Sequence, residues 1–121
     1  MILAAWLALA PLRLLAAIGK VESDHGRSRL PGVRSGWNTA GAAGPMQFGI
    51  GVGRAGNAWA RYGRGRPYDP ADAIPAAARY LVDHGGRRNL DRALFAYNHS
   101  RSYVARVKQL ARRYARGGGR S

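Results

Sequence analysis

Apolar residues in this chain recur at three- and four-residue steps, and nowhere in the strict alternation of a half-buried strand. The runs are rich in Ala, Leu and Val. They cover Leu12 to Asp24, with Gly19 as the one breaker, then Ala76 to Val82 after Pro75, then Leu90 to Asn98. A last run marks one face with Tyr103, Val104, Val107, Leu110, Ala111 and Tyr114. Such a pattern belongs to helices that each bury one stripe. With 121 residues there is material for one core, so the expectation is an all-α single domain with one active site. The chain has no Cys, which removes both a disulfide framework and a thiolate zinc site.

Punctuation places the helices. Pro11 suits a first helical turn, and the first helix is expected to end near His25-Gly26. Asp69-Pro70 reads as an N-cap followed by proline, and the helix after Pro75 should stop at Gly85-Gly86. Asn89 can cap the next helix, and Ser100 or Ser102 the last. Between Arg27 and Gly44 the chain is rich in Gly, Ser, Asn and Pro, an irregular connection with room for a short hairpin. Met46 to Ile50 and Ala55 to Tyr62 read as short helical pieces, and Gly63 to Pro67 as a basic turn. The expected body is residues 11–115, with a basic, disordered tail at 116–121. Residues 1–10 are almost wholly apolar and read as the start of the first helix or the remnant of an export signal. Arg13 and Lys20 interrupt the stretch short of the roughly 20 residues that span a bilayer.

Twenty Lys and Arg face six Asp and Glu, a formal net charge of +14. Partners should therefore be anionic: nucleic acid, an acidic membrane surface, or a wall polymer bearing peptide carboxylates. The basic residues are spread along the chain instead of being gathered on one DNA-reading helix.

Glu22 is the only Glu in the chain. Counting back by three, four and seven residues gives Gly19, Ile18 and Leu15, so its carboxyl leaves the helix on the apolar face. Lys20 lies roughly 200° away around the helix and forms a separate charged stripe with Arg13 and Asp24. A carboxyl at the edge of an apolar face loses solvation, which favours its neutral form. A general acid for glycosidic cleavage needs that form. Position alone favours an ordinary ion pair with an arginine, since structural ion pairs outnumber catalytic acids.

Further motifs change that balance. Glu22-Ser23 at a helix end, then Gly44-Pro45-Met46-Gln47-Phe48, then Ala96-Tyr97-Asn98 with Ser100, together resemble the three ordered signatures of soluble lytic transglycosylases, in their actinobacterial form. Tyr68-Asp69-Pro70-Ala71-Asp72-Ala73-Ile74 is similar as well, and the likeness runs from about Leu14 to Tyr114. The resemblance implies a goose-type-lysozyme fold and a lytic enzyme of peptidoglycan. Carried over by position, Glu22 is the catalytic acid and base, while Ser23, Gly44, Met46, Gln47, Phe48, Tyr97 and Asn98 contact the glycan or orient Glu22. The implied reaction cleaves the β-1,4 bond after a muramic acid residue and closes a 1,6-anhydro ring, with no cofactor, metal or nucleotide. The enzyme is expected to be a monomer working outside the cytoplasm on peptidoglycan strands.

One carboxylate suits this scheme, since Asp69, Asp72, Asp83 and Asp91 fall near helix ends where capping is their ordinary role. The pattern departs from many relatives at Asn38 and Thr39, which stand where a Ser is common, and at Gly49-Ile50-Gly51 after Phe48. Arg64-Gly65-Arg66 replaces an acid-rich turn found in some relatives, so no metal is expected there. His25, His84 and His99 have no metal-binding offset, and the glycines from 49 to 56 lack the strand and the Gly-Lys-Ser/Thr of a phosphate loop. Trp37, Trp59 and Tyr62 could stack on sugars or fill the core. The competing readings are a hydrolytic lysozyme and a non-catalytic cationic module that binds wall or nucleic acid.

Overall fold

A computed structural model describes residues 11–117. The expected apolar segment at 1–10 and residues 118–121 of the expected tail lie outside them. Among the described residues there are five helices and one two-stranded sheet. In chain order they are α1 (Pro11–Ser23), β1 (Ala42–Ala43), β2 (Phe48–Gly49), α2 (Ala58–Tyr62), α3 (Pro70–Asp83), α4 (Leu90–Tyr97) and α5 (Arg101–Gly117). The chain divides into two compact units, residues 11–18 with 78–117, and residues 19–77, with the boundaries inside α1 and α3.

In the first unit the core is aliphatic. Ala17, Ile18, Ala78, Leu81, Ala93, Leu94 and Val107 are wholly buried, with Leu14 and Leu15 nearly so. Each large aliphatic side chain taken out of water contributes about 1.5–3 kcal/mol. The caps read from sequence are in place. Asn89 accepts the Arg92 N–H at 3.1 Å, and Ser100 accepts the Tyr103 N–H at 3.2 Å. α3 ends at Asp83 and is closed by Gly85, which takes φ +82°, while Gly86 N–H returns to the Leu81 carbonyl at 2.7 Å and Gly85 N–H to Val82 at 3.0 Å. This left-handed closure satisfies carbonyls that the helix end would leave open. α5 runs on through Gly117, two residues into the expected tail.

In the second unit α3 begins at Pro70, where the Asp69-Pro70 cap places it, and continues through Pro75. The Asp69 carboxylate accepts the Ala71 N–H at 2.9 Å, and its carbonyl takes the Asp72 and Ala73 N–H groups. A helix started so firmly tolerates Pro75, whose cost is one missing N–H opposite the carbonyl of exposed Ala71. The hairpin lies at 42–49, at the C-terminal edge of the expected region. Ala42 pairs with Gly49 and Ala43 with Phe48. Met46 to Ile50 is thus turn and strand, where a helical piece was expected. Gly44 and Gln47 adopt left-handed φ of +83° and +54°, which no helix accommodates. α2 packs on β2 and starts at Asn57, whose side chain accepts the Ala60 N–H.

Candidate active site

The end of α1 carries Glu22. On the core side of this helix Leu15 and Ile18 are buried, and Glu22 itself is part-buried, as the spacing predicts. On the charged stripe Lys20 Nζ meets Asp24 Oδ1 at 2.6 Å. Lys20 first, and then Arg27, holds the Asp24 carboxyl below its ordinary range.

After Ser23 the chain reverses hand. Asp24, His25 and Gly26 take φ of 53°, 59° and 79°, and each of the two L-residues costs about 1–2 kcal/mol there. Strain of this kind persists only where surrounding bonds over-determine it. Here His25 N–H reaches the Gly19 carbonyl at 3.0 Å and Gly26 N–H donates to Ser23 Oγ at 2.7 Å. Partial burial, with the positive charges of Arg27 and Lys20, pushes the His25 imidazole pKa down.

Ser23 joins this turn to the next motif. Its hydroxyl donates to the Pro45 carbonyl at 2.7 Å, and the residue is 2% exposed. Both hydroxyl functions are occupied by protein, the donor by Pro45 and the acceptor by Gly26. Ser23 fastens the Glu22 helix end to the Gly44–Phe48 turn. Ser23→Ala leaves a buried carbonyl and N–H without this partner, and a loss of about 1–3 kcal/mol is expected in denaturant melts.

That turn is itself fixed from several sides. Met46 Sδ lies 3.6 Å from where a Cβ on Gly19 would stand, and Pro45 packs beside Gly26. Gly44 N–H donates to the Gly32 carbonyl at 2.7 Å. Gly44, Met46 and Phe48 are buried; Phe48 meets Trp59 edge-on at 5.4 Å. Gln47 alone of the motif's distal residues is part-exposed. Its Nε2 donates to the Gly44 carbonyl at 3.0 Å, and its Oε1 accepts Asn38 Nδ2 at 2.9 Å. One Nε2 hydrogen is left over by this pair of bonds, a donor suited to a ligand oxygen.

Asn38 was not among the sequence-derived site residues. Its Oδ1 accepts the Ala40 and Ala42 N–H groups at 3.0 and 2.9 Å, so one amide shapes the loop and orients Gln47 together. The signal was an Asn two residues before a small residue in a Gly-rich loop, the pattern of an Asx turn. Asn38→Ala is expected to cost about 1 kcal/mol of stability and to raise KM more than it lowers kcat, because it loosens a binding group.

Tyr97 and Asn98 belong to the other unit. The Tyr97 ring stands edge-on to Tyr80 at 5.1 Å, and Tyr80 donates its hydroxyl to the Ala96 carbonyl at 2.8 Å. Burial pushes the Tyr80 phenol pKa up. His84 stacks on the Tyr80 ring at 3.9 Å. Asn98 caps α4, its N–H returning to Leu94, and its side chain is exposed. The importance of Tyr80 and His84 to this end of α4 was not evident from sequence.

Other candidates take ordinary places. Trp59 packs over Gly63 and Phe48, whereas Trp37 is 54% exposed and open to stacking. Asp69 caps α3, Asp72 accepts the Arg66 N–H at 2.9 Å, and Asp91 pairs with Lys108 at 2.7 Å. Each of these carboxylates has a local task.

The transglycosylase SLT domain family matches residues 4–117, and the chain belongs to that family. Its helical architecture is that family's all-α, lysozyme-like fold. No curated protein and no solved structure matches the chain.

Proposed function

We propose that the protein is a peptidoglycan lytic transglycosylase in which Glu22 alone serves as acid and base. The observation that carries this reading is that the chain's only Glu sits part-buried at a helix end, which Ser23 ties to the Gly44–Phe48 turn, within an SLT domain. In the first step the Glu22 carboxylic acid gives its proton to the oxygen between a muramic acid residue and the following glucosamine. The bond from the muramic C1 to that oxygen breaks, and the sugar's own acetamido oxygen stabilises the cation. In the second step the Glu22 carboxylate takes the proton from the 6-hydroxyl as that oxygen bonds to C1. The ring closes as a 1,6-anhydro sugar, Glu22 is again protonated, and no water is consumed.

In this scheme the spare Gln47 N–H binds a sugar or acetamido oxygen, and Tyr97 with Asn98 orients Glu22 or the reacting sugar. The substrate lies outside the cytoplasm, which is where the enzyme works. The local tasks of Asp69, Asp72 and Asp91 favour one carboxylate over the pair that most glycosidases use. The test is release of soluble muropeptides from purified peptidoglycan by the wild-type protein and by Glu22→Gln. Release by wild type alone supports the reading. Equal release by both removes Glu22 from the chemistry, and release by neither overturns the reading in favour of a binding module.

A further inference from the structure

Basic residues are not distributed evenly around α5. Arg101, Ala105, Lys108 and Arg112 follow one another at steps of four, three and four, which lines them up along one face over roughly 16 Å of helix. α4 packs against this helix and contributes Arg92 and Phe95. Together these side chains line an open cleft of about 610 Å³. None of them belongs to the three family motifs.

The chemistry of the cleft is mixed in a specific way. Four cations, Arg92, Arg101, Lys108 and Arg112, stand against one acid, Asp91, among the described residues that line it. Asp91 holds Lys108 at 2.7 Å and still has 61% of its side chain exposed. Phe95 is 42% exposed, and its ring stacks on His99 at 5.4 Å with 17° between planes. The cleft thus offers guanidinium forks for carboxylates, an acceptor for an amide or ammonium donor, and an apolar plate. A phosphodiester backbone presents only negative charge to the cleft and would meet Asp91 as a like charge. An acidic peptide presents carboxylates, N–H donors and methyl groups along one chain, and it matches all three features.

We propose that this cleft binds the acidic peptides attached to the glycan strands of the substrate; the inference rests on the peptidoglycan reading above. Arg101 and Arg112 hold the peptide carboxylates, Asp91 takes an amide or ammonium, and Phe95 packs on the apolar part. Because such peptides recur along each strand, a second foothold raises the local concentration of the polymer and slows its departure.

The test uses the full chain with Arg101→Gln and Arg112→Gln combined. Both side chains are exposed, and an unchanged thermal melt checks that folding is intact. Binding is read by co-sedimentation with insoluble peptidoglycan, on the Glu22→Gln background so that nothing is cleaved. The double variant should bind peptide-bearing wall about tenfold more weakly, with a shallower dependence on salt. With Glu22 restored, its cleavage of glycan strands stripped of their peptides should equal that of the otherwise wild-type protein. Unchanged binding to peptide-bearing wall overturns the proposal, as does an equal loss on peptide-free strands. A loss confined to duplex DNA or to a phosphodiester wall polymer overturns it in favour of that ligand. Arginine-dependent wall binding by a wild-type protein that cleaves nothing sinks the catalytic reading and leaves this one standing.

Discussion

Glu22→Gln should retain the fold and lose at least about 10³-fold in turnover, the scale of a general acid and base removed from both steps. Gln has the same size and fits the same part-buried position, so the thermal melt should move little. The substitution removes only the transferable proton. Glu22→Asp is the sharper control, because it keeps the proton and draws the carboxyl back by one methylene. A displacement of that order can cost about 10²-fold when reacting atoms must be aligned. The expected order is therefore wild type, then Asp, then Gln, read as initial rates of muropeptide release at matched protein concentration. Near-wild-type turnover by Glu22→Gln would remove Glu22 from the chemistry.

Gly44→Ala should be the most damaging single methyl in the second unit. Gly44 is at φ +83°, where an L side chain is strained, and an added Cβ would overlap the Pro67 carbonyl oxygen, a backbone atom with little freedom to move. Strain and overpacking together are expected to cost about 3–5 kcal/mol. For a domain of this size that is a fall in Tm of roughly 10–20 °C. Activity should fall as well below the new Tm, since Gly44 also accepts from Gln47 and its turn is tied through Pro45 to Ser23. Differential scanning calorimetry checks the first effect and rates taken well below the melt check the second. A melt within a few degrees of wild type would mean that the Pro67 segment yields, and that the turn is less tightly specified than its geometry indicates.

These two residues also separate what could be read from sequence from what could not. Helix existence, the Asn89 and Ser100 caps, the Gly85-Gly86 stop and the inward face of Glu22 were legible because each depends on residues within one or two turns of one another. The family was legible from three ordered motifs. A short hairpin was anticipated in the 27–44 connection, but its place at 42–49 was not legible, because strands of two residues carry no alternation. Its geometry is set by bonds to distant backbone, such as Gly44 to Gly32. The same reason hid Asn38, whose partner Gln47 is nine residues away. It also hid the burial of Ser23, Met46 and Phe48, which is set by packing between segments distant in sequence. A motif marks which residues a site depends on; whether they face the ligand or hold up those that do is decided by tertiary packing. The basic stripe on α5 lies in plain sequence at helical spacing. It became meaningful only when α4 supplied the opposite wall of a cleft.

The claim that one carboxylate carries the whole reaction is tested most directly by digesting peptidoglycan in water enriched in heavy oxygen and weighing the products by mass spectrometry. The account predicts 1,6-anhydro ends from the wild-type protein, lighter than reducing ends by one water and free of heavy oxygen, with none from Glu22→Gln. Reducing ends that carry the heavy oxygen would contradict it. They would show that water attacks the sugar, and that a second group must position that water opposite Glu22.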